Sequence, residues 1–164
     1  MIIKADQKAG WQKIGSVISE YTNKGFVIDV SGTWCFNTNE RDGRTCEADG
    51  RSGAGNYWPM KVPGETSYIL HDQDAVLGEL VGRIGNNGTP FRIGKHLSGV
   101  FDASDVGKDI FVSMNHGWYT VNSDGTIEVG IRIKPDPLPD PVQEGEKRKE
   151  EYWSGHLHEK DWNH

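Results

Sequence analysis

The stretch TIEVGIRIK (126–134) decides the fold class. Ile127, Val129, Ile131 and Ile133 recur at every second position, with Glu128, Gly130, Arg132 and Lys134 between them. Successive side chains of a strand point to opposite faces, so this pattern predicts a half-buried β-strand with one apolar face. A helix would scatter the same residues around its circumference. GFVIDVSGTWCF (25–36) follows the same logic, with Phe26, Ile28 and Val30 alternating with Val27, Asp29 and Ser31. Further out, GELVGRIG (78–85) and FRIG (91–94) flank the turn NNGTP. DIFVSMN (109–115) enters the loop that leads back into 126–134, and GWQKIGSVIS (10–19) reads as a first strand and bend. Short strands, 21 glycines and hardly any helical period predict an all-β fold, an antiparallel sandwich of about eight strands over residues 10–134.

Two regions break the pattern. Residues 37–66 are nearly all polar, with Gly43, Gly50, Gly53, Gly55 and Gly64, and predict one or two long excursions from the sheet. Within them Trp58–Pro59 reads as a loop anchor. At PDPLPDP (135–141) each proline lacks the amide a ladder needs, so an extended linker is expected. The chain therefore divides into a sandwich domain over 1–134 and a C-terminal extension over 135–164. The extension is first charged and then carries Tyr152, Trp153, Leu157 and Trp162. It is either solvated or docked, on the domain or on a neighbouring subunit of a homo-oligomer.

A net charge of −6 argues against a nucleic-acid partner, because phosphate binding relies on a basic surface. No apolar run approaches the ~18 to 20 residues of a membrane span, and no signal-peptide core precedes the first strand. The expectation is a soluble chain, cytoplasmic or exported by another route. Cys35 and Cys46 close a short loop, as a disulfide or as two reduced thiols. His71, His96 and His116 lack a serine or cysteine in a nucleophile-elbow pattern. Asp72, Asp74, Asp102 and Asp105 lie in loops where a solvated charge is the default. An enzyme is not expected.

The runs HDQDAVLGELVGRIGNNGTPFRIG (71–94) and IFVSMNHGWYTVNSDGTIEVGI (110–131), with Gly32 and Trp34 upstream, are similar to the LecA-like (PA-IL) bacterial galactose-binding lectins and related β-sandwich carbohydrate-binding modules. The resemblance covers roughly residues 10–134 and implies a jelly-roll-like antiparallel β-sandwich. It also implies a galactose-type ligand and a calcium ion whose shell the sugar hydroxyls complete. Position by position, it puts Asn122 and Asn115 on the metal, with Ser123 or Asp124 beside them and the carbonyls of Phe36 and Tyr119 assisting. His71 and Asp72 fall where the preceding loop touches the sugar. In a lectin Tyr57 and Trp58 would extend the binding rim. Two departures stand out: the family's Asp is Asn115 here, and NSDG (122–125) is one residue longer than the family's NSG.

The loop NHGWYTVNSDG (115–125) also has a purely local reading. NSDG is a good turn sequence, with Asp124-Gly125 supplying positive φ and the Asn side chains satisfying turn amides. Trp118 would be a floor for a sugar ring, with its indole N–H on a hydroxyl, or would pack under the loop. The function classes that remain are a carbohydrate-binding module, with or without calcium, and a non-catalytic interaction or assembly domain on the same sandwich. Fold alone does not separate them.

Overall fold

The computed structural model of the chain describes residues 1–40, 44–52 and 67–136. Tyr57, Trp58, most of the proline-rich stretch and the four large apolar residues of the C-terminal extension lie outside the described residues. The chain divides after Lys134 into two units, and the first, Met1–Lys134, carries every strand of the sandwich.

The elements are β1 (Ile2–Lys4), β2 (Gln12–Ser16), α1 (Ser19–Asn23), β3 (Phe26–Cys35), β4 (Thr45–Glu47), β5 (Leu80–Ile84), β6 (Phe91–Arg92), β7 (His96–Gly99), β8 (Asp109–Met114) and β9 (Asp124–Ile133). One sheet runs β1-β9-β3-β4, with β7 also paired to β3, and the other runs β2-β8-β5-β6. All of these pairings are antiparallel. The fold is an all-β sandwich of two antiparallel sheets, as the alternation predicts.

The two segments that anchor the prediction pair with each other along their whole length, from Phe26 opposite Ile133 to Cys35 opposite Asp124. Ile28 and Val30 turn inward with Ile127 and Val129, as period 2 requires. Val27 departs from the alternation, being only 5 % exposed. Strand β3 has β9 on one side and β7 and β4 on the other, and Val27 stands between Ser98 and Arg132. A central strand so flanked covers an apolar side chain on its outer face as well. At the far end of β9 the core runs out, and Ile133 is 40 % exposed.

Three details correct the sequence reading. The first strand is Ile2–Lys4, not 10–19, and it seats Ile3 in the core beside β9. Residues 10–19 form the second strand and enter α1 instead of a bend. Strand β7 is an addition, because Leu97 is the one apolar residue in HLSG and a single residue shows no period.

The inner faces meet around Trp34, Phe36, Ile28, Leu80, Ile110, Met114 and Ile127. Each contributes on the order of 2 kcal/mol by leaving water. The Trp34 indole N–H, which burial would otherwise leave unpaired, donates to the Gly78 carbonyl at 2.8 Å. Cys35 and Cys46 are free and buried. Cys46 lies opposite Trp34, one register step from Cys35, and neighbouring positions of a strand point to opposite faces. The disulfide reading is thereby replaced by two thiols, and burial pushes Cys46 up to about 12.

This topology gives the sandwich two distinct ends. At one, β3 and β8 finish while β5 and β9 begin, and the loop 115–123 lies there. At the other, β5, β7 and β9 finish while β3 and β8 begin.

Candidate functional site

The loop 115–123 is tied down at almost every residue. Asn115 is fully buried, and its carboxamide clamps one residue from both sides: Oδ1 accepts from Leu70 N at 2.8 Å and Nδ2 donates to Leu70 O at 3.0 Å. Its own amide donates to Glu79 O. Gly117 packs on Tyr68 so closely that a Cβ would stand 2.3 Å from the ring. Here glycine is required by contact, not by φ. Thr120 closes the turn, accepting from Gly117 N at 2.7 Å and donating to Gly117 O at 3.0 Å.

The aromatic pair divides the labour. Tyr119 is half-buried, and its hydroxyl donates to the Glu40 carboxylate while accepting from Nε and Nη2 of Arg44 at 3.2 and 3.1 Å. Its amide donates to the Tyr68 hydroxyl at 3.1 Å. Trp118 is 55 % exposed. Its amide donates to Ser67 Oγ at 3.3 Å, and its indole meets the Tyr119 ring edge-on at 5.7 Å. The backbone is fixed while the indole faces solvent.

His71 and Asp72 belong to the segment that this loop docks on. His71 Nδ1 lies 3.2 Å from Tyr68 O, and its ring is exposed. Asp72 is exposed and pairs with Nη2 of Arg92 at 3.1 Å. The same guanidinium holds Glu79, which is only 2 % exposed, through Nε at 2.8 Å. Burial pushes the Glu79 carboxyl above the usual range, and the Arg92 hydrogen bond pulls it partly back. Sequence reasoning finds Asp72 and passes over Glu79. The single cue to Glu79 is a carboxylate at an inward-adjacent position of the run GELVG, where burial demands a partner.

His116 enters the sequence reading only as a conceivable general base. It is 6 % exposed, and its Nδ1 has no hydrogen-bond partner among the described residues. Burial lowers it to about 4, against smaller upward pulls from Asp6 and the backbone of Ala5 and Thr120. It stays uncharged near neutral pH and is packed inside, out of reach of a ligand at the surface.

The other residues that the resemblance puts at the metal are Asn122, Asp124, Phe36 and Tyr119. Asn122 alone among the described non-glycine residues has positive φ, 52°. Its carbonyl accepts from Thr38 Oγ1 at 2.7 Å and its Nδ2 donates to Asn39 Oδ1 at 3.1 Å. Asp124 opens strand β9 instead of sitting in the turn, and its carboxylate accepts from Gly125 N at 2.7 Å. The Phe36 carbonyl accepts from Ser123 Oγ at 3.2 Å, and the Tyr119 carbonyl from Asn37 Nδ2 at 2.7 Å. Calcium asks for six to eight oxygens turned toward one point. Here Asn115 is enclosed against Leu70, and the two carbonyls and Asp124 are engaged by protein donors. Among the described residues no group of three or more His, Cys, Asp or Glu side chains could hold a metal ion. The calcium shell that the resemblance implies does not fit these residues as they are arranged.

Among the described residues no helix is long and apolar enough to cross a membrane. Compared with known proteins, the chain matches no protein-family model and no curated protein sequence.

Proposed function

We propose that the protein is a non-catalytic, lectin-like carbohydrate-binding module, in which Trp118 offers its ring face to a galactose-type sugar without calcium. The resemblance of residues 71–94 and 110–131 to galactose-binding lectins supplies the ligand class. The observation that carries the reading is the exposed Trp118 indole on a backbone held at both flanks. A rigid aromatic face gives up little entropy on binding, and its N–H remains available for a hydroxyl. His71 and Asp72 follow on the segment that holds this loop through Ser67 and Tyr68, and the resemblance makes them the polar groups that meet the sugar. A glycan array probed with the full chain and with Trp118→Ala, in calcium and in chelator, tests the reading. Galactosides bound in both buffers and lost by the variant support it.

One observation favours the second reading, an interaction or assembly domain: Val121 is also exposed, three residues from Trp118. An array blank in both buffers, together with self-association abolished by Trp118→Ala, would select that reading.

A further inference from the structure

The opposite end of the sandwich holds a cleft of about 900 Å³ between the β5–β6 turn, residues 97–102 and the start of β8. That volume lies in the range of small-molecule sites. Its walls combine two kinds of group. Phe101 stacks on buried Phe26 with centroids 3.9 Å apart, which fixes an apolar face. The exposed side chains of Asn86, Asn87, Thr89 and Ser98 line the same cleft and make no hydrogen bond among the described residues. The turn that carries three of them is rigid: Gly88 lies so close to Ile84 that a Cβ would stand 2.1 Å from its carbonyl oxygen, and Gly85 N donates to Asp109 O at 2.8 Å.

The charges around the rim are already used. Lys108 pairs with Asp105 at 2.8 Å and Lys13 with Asp109 at 3.1 Å, while Asp102 accepts from both Ser104 N and Ser104 Oγ. Carboxylates outnumber amines, so an anion would be repelled. Beside these paired charges the cleft offers a ligand carboxamides, hydroxyls and a phenyl face.

We infer that this cleft is a second binding site, for a neutral saccharide, at the pole opposite Trp118. It shares the ligand class of the proposed function but none of its residues. A chain with a site at each pole links two separate glycans without oligomerising.

Calorimetric titration of the full chain with galactose, lactose and sialyllactose tests this, run on the wild type, Trp118→Ala and Asn86→Ala/Asn87→Ala. Both asparagines lie outside the positive-φ region and have exposed, unbonded side chains, so the double variant keeps its fold; its melting temperature checks that. The expected result is two neutral-sugar equivalents per chain, one weakened about tenfold or more in each variant, with sialyllactose excluded from the cleft. One equivalent sensitive only to Trp118→Ala overturns the cleft site and leaves the loop reading standing. One equivalent sensitive only to the double variant supports the cleft and overturns the loop site. No heat with any of the three sugars overturns both.

Discussion

The two ends of the sandwich use polar side chains in opposite ways. In the loop 115–123, Asn115, Thr120, Asn122 and Ser123 bond to the protein's own backbone or to a neighbouring loop. In the β5–β6 turn, the side chains of Asn86, Asn87 and Thr89 bond to nothing among the described residues. The first loop is long, and its backbone needs side-chain partners to hold it in place. The second is a tight turn whose glycines settle its backbone, which leaves its side chains free. A loop rich in oxygen-bearing residues is therefore not a ligand site by composition alone; what counts is which of its groups the fold leaves unspent.

The largest effect that would break this contrast is at Arg92. Arg92→Met strands the buried Glu79 carboxylate and should cost about 3 kcal/mol or more at neutral pH, read by urea unfolding. The Arg92 hydrogen bond and charge that lower the Glu79 carboxyl vanish, so its folded value rises further above the unfolded one. A raised acid binds extra protons in the fold, so the variant recovers stability as pH falls toward about 4.5. A loss independent of pH would mean that Glu79 is not the strained group.

Asn115→Ala comes next. It leaves both Leu70 backbone groups without these partners in a part-buried setting, at a cost of about 2 to 4 kcal/mol. A stability change under about 0.5 kcal/mol, the level of an ordinary surface substitution, would return Asn115 to the pool of ligands.

His116 adds a pH dependence at the same end. Its folded value of about 4 lies below the unfolded 6.5, so the unfolded chain binds the extra proton in that window. The contribution is fully present above pH 6.5 and lost as pH falls toward 4, about 3 kcal/mol in all. His116→Gln should flatten that slope in unfolding measured at stepped pH, and an unchanged slope would assign it elsewhere. The smallest effect belongs to the other end, where Asn86→Ala/Asn87→Ala should shift stability by less than about 0.5 kcal/mol.

The sandwich is legible in the sequence because β3 and β9 each carry an alternation long enough to exclude a helix, and those two strands pair along their length. Strands β1 and β7 are not, since three or four residues with one apolar side chain turned inward carry no period. The site is legible only in part. Trp118 stands out as a large apolar residue in a polar loop, and it is exposed. Asn115 and Asp124 look equally available in the sequence, yet the direction in which a carboxamide points depends on Leu70, 45 residues away. The cleft escapes a sequence reading for the same reason, since Phe26 and Phe101 meet only in three dimensions.

The most direct test is a ¹⁵N-resolved titration of the full chain with galactose in chelator. The account predicts shifts at the Trp118 indole N–H and at the Asn86 and Asn87 carboxamides, with the Asn115 carboxamide unmoved. Shifts centred on Asn115 and Asn122 that appear only when calcium is restored would contradict it.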